Sequence, residues 1–271
     1  MERIAIVTGA SSGIGAATAR RLARAGFVVY GAARRLDRLA ELAADGVRPL
    51  ALDVTSDESM VAAVDQVLAD VGRIDVLVNN AGYGAYGAIE DVPMSEARRQ
   101  IEVNLFGLAR MVQLVLPTMR EQGSGSIVNI TSMGGKFTMA FGGWYHASKF
   151  AVEGLSDVLR TEVAPLGIDV VVIEPGNIAT EWGGIAMDSA RSMSGQGPYA
   201  ERVDAMAAAM DGPVARFGSD PDVVAKAIER AVTARRPRTR YAVGSMAKPV
   251  LLARKVLPDR AMDWLQAKAM G

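Results

Sequence analysis

The stretch "TGASSGIG", residues 8–15, decides the fold. An apolar run from Arg3 leads straight into it, and a helix-length segment ending on Gly26 follows. Gly9, Gly13 and Gly15 let the backbone turn tightly and approach an anion closely. The start of the helix adds unpaired N–H groups and a favourable dipole. Strand, glycine loop and helix in that order predict a bound pyrophosphate. A tight turn without a ligand would use the same residue types, so the loop needs support from elsewhere. A P-loop is disfavoured, because Gly13 is followed by Ile14 and Gly15 rather than by Lys and a hydroxyl residue.

Outward from this loop, short runs rich in Val, Ile and Ala recur at 3–8, 27–33, 47–52, 75–79, 126–131 and 168–173, with a weaker one at 240–244. They are continuous rather than alternating, which suits parallel strands covered on both faces. Helix-length segments lie between them. One follows Ser56 and ends on Gly72; another runs over 96–119 with Ile101, Leu105, Leu108, Val112, Val115 and Met119 at helical spacing. The alternation predicts one α/β domain over residues 1–271, a doubly wound seven-stranded parallel sheet with helices on both faces. The stretch 177–217 breaks the rhythm with Gly183, Gly184, Gly195, Gly197, Pro198 and Gly212, and is expected to be a substrate lid. The tail, 246–271, reads as two amphipathic pieces split by Pro258.

Bulk composition removes several classes of function. Lys plus Arg and Asp plus Glu are 30 each, so no basic excess points to nucleic acid. There is no cysteine and one histidine, which removes disulfides, thiolate chemistry and a histidine-based metal site. The first strand begins too early for a secretion signal, and no apolar run approaches the roughly 20 residues of a membrane span. A cytoplasmic protein is expected.

Further motifs extend the pattern: "LDV" at 52–54, "NNAG" at 79–82, Ser132, "WYHASKF" at 144–150 and "PG" at 175–176. With the glycine loop, and in this order, they resemble the short-chain dehydrogenase/reductase family over almost the whole chain. The resemblance implies a Rossmann fold and a catalytic set of Asn104, Ser132, Tyr145 and Lys149. It implies cofactor contacts from Gly9, Ser11, Ser12, Gly13, Ile14 and Gly15 in the loop, and from Asp53 and Val54 at adenine. Asn80, Ala81 and Gly82 follow on the fourth strand. Tyr145 and Lys149, then Pro175, Gly176, Ile178 and Thr180, belong to the nicotinamide end. The wording of 149–180 and the tail are similar to the branch containing 17β-hydroxysteroid and retinol dehydrogenases. A homodimer or homotetramer built through the Tyr145 helix is also implied.

The chemistry agrees with those residue types. Reduction of a carbonyl needs a proton donor beside the developing alkoxide. A free phenol has a pKa of about 10 and needs nearby positive charge to ionise more readily. Lys149 lies four residues after Tyr145, on the same helical face. Ser132 can hydrogen-bond the substrate oxygen, and by resemblance Asn104 holds a water that links Lys149 to solvent. His146 is turned about 100° from Tyr145 around the helix, so a packing role is expected for it. Ser132 as a strand-end cap, and Asn104 as a local helix perturbation, are the structural alternatives.

The second strand, "FVVYGAARR", bears on the cofactor. It ends on Ala33 where an acidic residue would grip the ribose of NAD, and Arg34 and Arg35 follow at once. Guanidinium groups there can pair with a 2′-phosphate, so NADP(H) is expected. Met133, Phe137, Phe141 and Trp144, with Trp182 and Met187 at the lid, point to a hydrophobic alcohol or ketone. A dinucleotide-binding sensor or scaffold without turnover is the competing function.

Overall fold

The computed structural model describes residues 2–211 and 217–269. In chain order the elements are β1 (Ile4–Thr8), α1 (Gly13–Arg24), β2 (Val28–Ala33), α2 (Leu36–Ala40), β3 (Val47–Ala51), α3 (Asp57–Val71) and β4 (Val76–Asn79). Then come α4 (Met94–Ile101), α5 (Gly107–Gln122), β5 (Gly125–Ile130), α6 (Gly143–Val163) and β6 (Ile168–Pro175). The chain continues with α7 (Trp182–Ser194), α8 (Ala200–Asp211), α9 (Asp222–Thr233), β7 (Arg240–Val243), α10 (Ala247–Val256) and α11 (Asp259–Ala269).

The seven strands form one sheet in the order β3-β2-β1-β4-β5-β6-β7, and every neighbouring pair is parallel. Alternate residues of each strand face opposite sides. Ile4 and Ile6 of β1 pack toward α3, α5 and α6 with Met60, Met111 and Val152. Ala5 and Val7 pack toward α1 and α9 with Leu22 and Ile228. This two-sided burial explains why the strands read as continuous apolar runs. The strand order reverses between β1 and β4, and the ends of those two strands open the crevice in which such sheets bind ligands.

Local signals place the element ends. Ser56 caps α3 by accepting a hydrogen bond from the Ser59 N–H, and Gly72 ends it at a positive φ of 69°. The segment 96–119 departs from the expected single helix. It breaks into α4, a π-helical turn at Glu102–Phe106, and α5. The buried Asn104 amide sits in that turn and bonds to backbone and side chain outside the helix, which the wider turn allows.

The expected lid contains α7 and α8 with a short 3₁₀ turn at Gly197–Tyr199 between them. Its stretch 212–216, including Gly212, lies outside the described residues. The tail forms α10 and α11, separated at Leu257–Pro258. Among the described residues no helix is long and apolar enough to cross a membrane.

Candidate active site

The glycine loop leaves β1 at Gly9, whose φ is +66°. A Cβ there would stand 2.9 Å from the Ala81 Cα, so only glycine permits this approach of β1 to β4. Asn80 braces the turn: its Nδ2 donates to Thr8 O at 2.9 Å. The Thr8 hydroxyl in turn accepts from the Asn80 and Ala81 N–H groups, each at 3.0 Å. The "NNAG" motif therefore holds the loop in shape from beneath. Ser12 stands at the N-cap of α1 without a side-chain capping bond, so the helix start keeps N–H groups for an anion.

At the end of β2, Arg35 donates to Ser11 Oγ at 3.1 Å. Arg34 faces Asp53. Burial pushes the Asp53 carboxyl up, but hydrogen bonds from Thr55 and the charges of Arg34 and Arg99 outweigh it, leaving the group below its usual range.

Tyr145 and Lys149 project from the first turns of α6. Tyr145 is buried, and burial raises its phenol to about 12 while a hydrogen bond with Ser132 opposes the shift. Lys149 lies below the phenol ring, with Nζ 5.9 Å from its centroid. Burial pulls its ammonium down to about 8, and Glu153 opposes that. Nζ donates to Ile130 O at 2.9 Å, tying α6 to the end of β5. Ser132 lies two residues past the end of β5 and accepts from the Gly134 N–H at 3.0 Å. It is thus both a cap and a partner of Tyr145. Asn104 Nδ2 donates to Tyr83 O and to Ser148 Oγ, each at 3.0 Å, and its Oδ1 accepts from the Tyr83 N–H at 3.1 Å. It locks the segment after β4 to the residue preceding Lys149.

His146 is buried and held at both nitrogens. Nε2 accepts from the Met139 N–H at 3.0 Å, which puts the proton on Nδ1, 2.8 Å from Gly134 O. The ring borders the cleft and also fastens the 134–139 loop to α6. Two aromatic rings enclose Tyr145: Trp182 at 5.0 Å and Tyr86 at 5.9 Å between centroids.

The model of a family described as short chain dehydrogenase matches residues 3–188. The chain belongs to that family. This short-chain dehydrogenase is 37% identical to a 3-ketodihydrosphingosine reductase from Bacteroides thetaiotaomicron, over 97% of its own length and 96% of the relative's. It is 34% identical to an NADPH-dependent 3-dehydrocapnine reductase from Ornithobacterium rhinotracheale, over 96% and 95% of the two chains. A solved short-chain dehydrogenase from Streptomyces avermitilis superposes with a TM-score of 0.82 at 37% identity, covering 99% of this chain and 94% of that one.

In this dehydrogenase one cleft of about 1550 Å³ is lined by the expected residues of the glycine loop, β2, β4, β5, α6 and the 175–180 segment. Gly15 and Asn104 are the exceptions. Gly15 lies under the loop, where a Cβ would come within 2.3 Å of Gly9 O. Asn104 acts from behind through Tyr83 and Ser148. Three of the expected substrate-side groups, Phe141, Trp144 and Met187, also do not line the cleft. Phe141 packs edge-on against Tyr199 at 6.1 Å, and Met187 is buried in the cluster that α7 shares with α8.

Tyr86, Arg99 and Glu153 were not legible as site residues. Tyr86 stands in a glycine-rich loop, and Arg99 reads as the solvent face of a helix. Glu153 carries the one available signal, helical spacing from Tyr145 and Lys149.

Proposed function

We propose that this oxidoreductase uses NADP(H) to interconvert a hydrophobic ketone and its alcohol, with Tyr145 as the proton donor and acceptor. The observation that carries this reading is the placement of a buried Tyr145, hydrogen-bonded to Ser132 and underlain by Lys149, in the same cleft that the glycine loop opens. The residues fit a dinucleotide. The backbone approach at Gly9 leaves space that a side chain would fill, and the α1 start offers N–H groups. Arg34 and Arg35 stand where a 2′-phosphate would lie, and the NADPH-dependent relative supports that choice. Asp53 and Val54 would meet adenine; Pro175, Gly176, Ile178 and Thr180 would hold the nicotinamide end.

When bound, the nicotinamide supplies the hydride for the carbonyl carbon. Tyr145 gives its phenolic proton to the carbonyl oxygen, so hydride plus proton yields the alcohol, and the reverse steps oxidise it. A phenol near 12 is protonated at neutral pH, which suits the reducing direction. Ser132 holds the same oxygen. Lys149 supplies positive charge beside the phenol, and Asn104 fixes the backbone that positions it. The apolar cleft wall supports an apolar substrate. Helices α7 and α8 form a lid over it. Exposed Phe150, Gly154 and Val158 on α6, with Phe106 beside them, form the face through which copies pair as a dimer or tetramer.

The test is oxidation of NADPH and NADH, followed by absorbance, across a panel of aliphatic and aromatic ketones and aldehydes. Turnover abolished by Tyr145→Phe is expected. Tight cofactor binding with no turnover of any carbonyl would favour a sensor or scaffold instead.

A further inference from the structure

The cleft's volume of about 1550 Å³ exceeds the roughly 300–1,000 Å³ of a typical small-molecule site. Its charges are unevenly placed. Arg34, Arg35, Asp53 and Arg99 gather at the end of β2, Lys149 lies under Tyr145, and Glu181 pairs with Arg38. Among the described residues the wall built by α8, α10 and α11 has no charged lining residue, although Arg254, Lys255 and Asp263 stand on those same helices.

On each helix the lining positions recur at helical spacing, so one face is turned inward. Met206 and Met210 come from α8, Val250 and Ala253 from α10, and Met262 and Leu265 from α11. Met206 and Met262 are buried even though α11 is the last element of the chain. Among the described lining residues of these three helices the only polar side chain is Gln266.

We propose that this wall holds an unbranched alkyl chain belonging to the substrate, with its carbonyl end at Tyr145 and its methyl end among α8, α10 and α11. The proposal rests on the reading of Tyr145 as proton donor to a carbonyl. Three observations favour a flexible chain over a rigid ring system. Methionine side chains are unbranched and adaptable, so they follow a bending chain. Ala253 and Ala209 keep the passage open between larger groups. No polar pair stands ready for a second functional group at the far end of a polycyclic substrate. Among the described lining residues no cation faces that end, which favours a methyl terminus over a carboxylate, because a buried unpaired charge is costly. The substrate class is therefore a long-chain ketone whose polar part is confined to the carbonyl end.

The test uses the full chain with NADPH and a series of alkan-2-ones from butan-2-one to decan-2-one. We expect kcat/KM to rise about three- to fourfold per methylene, the factor for burying a CH₂ group. Ala253→Trp should lower the ratio of decan-2-one to butan-2-one efficiency by at least tenfold, and Leu265→Gln serves should the first variant not fold. Equilibrium titration with decan-1-ol and butan-1-ol, read by tryptophan fluorescence, reports the chain site without turnover. Tighter decanol binding that Ala253→Trp weakens supports the site. A flat chain-length series in an enzyme that turns over butan-2-one overturns the chain site and leaves the dehydrogenase assignment standing. Absence of all turnover, with decanol still bound more tightly than butanol, overturns the assignment at Tyr145 instead. Equal binding of the two alcohols removes the chain site in either case.

Discussion

Glu153 stands one helical turn beyond Lys149 on α6 and is the charged group that opposes the burial of the Lys149 ammonium. Its carboxylate accepts from Thr131 Oγ1 at 2.7 Å, Lys136 Nζ at 2.9 Å and Arg240 at 3.0 Å. Arg240 also pairs with Asp157 at 2.7 Å, while burial, with Glu153 nearby, pushes the Glu174 carboxyl up. The network thus joins the end of β5, the loop after Ser132, β7 and α6.

Removing this charge is expected to move the pH profile. Lys149 already sits near 8, so its charge is lost as pH rises through that value. In Glu153→Gln the attraction that raises it is gone. The alkaline fall of kcat/KM should then begin at lower pH than in wild type. An unchanged alkaline limb in a folded variant would show that Glu153 only braces the loop.

Tyr145→Phe should lower kcat by about 10²–10⁴-fold, the usual worth of positioned acid–base catalysis. NADPH affinity, measured by fluorescence titration, should change little, because the phosphate-binding loop is untouched. Retention of more than about a tenth of wild-type turnover would move the proton transfer to another group.

Much of this site was readable from residue order. Continuous Val and Ile runs revealed a sheet covered on both faces, and the glycine loop located its ligand crevice. Tyr145 and Lys149 were legible because helical spacing puts them on one face. What stayed hidden depends on contacts distant in sequence. The Glu153 network needs β7 to return beside β6, and nothing near Arg240 announces it. Tyr86 reaches Tyr145 only through an irregular loop. At Asn104 the sequence offers only a local helix perturbation, which the π-turn bears out; its form stays hidden because the hydrophobic spacing is that of an ordinary helix. Phe141 reads as a substrate-side apolar group, but its left-handed backbone, φ 65°, turns the ring toward Tyr199.

Arg34→Ala should separate the two cofactors. Arg34 follows the end of β2 directly, whereas Arg35 already donates to Ser11. Losing one charge-assisted contact, about 1.5–3 kcal/mol, should cut kcat/KM for NADPH by roughly 10- to 100-fold with little change for NADH. Equal losses with both cofactors, or equal use of both by wild type, would remove the case for a 2′-phosphate site.

The lid should close on ligand. Its start is fastened by the Arg38–Glu181 pair at 3.3 Å, and both side chains are substantially exposed, so the latch is weak. Limited proteolysis should cut within α7 and α8 in the free protein, and NADP⁺ with decan-1-ol should slow cleavage several-fold. Equal cutting rates with and without ligands would argue for a fixed wall.

His146 provides the last prediction, and it concerns stability. Burial pulls its imidazole below the usual 6.5, with the Gly134 hydrogen bond opposing. The unfolded chain therefore takes up this proton before the folded one does. Its stabilising contribution is complete above about 6.5 and is lost as pH falls through the lowered folded value. Protonation would also place a hydrogen on Nε2, opposite the Met139 N–H that now donates to it. His146→Ala leaves that N–H and the Gly134 carbonyl without their ring partner, which should cost about 1–3 kcal/mol at pH 7.5. Urea unfolding at pH 7.5 and pH 5.5 should show a smaller pH dependence in the variant than in wild type. The folded variant should keep the pH–rate profile set by Tyr145 and Lys149. Complete loss of turnover with native stability would instead put the imidazole into the chemistry.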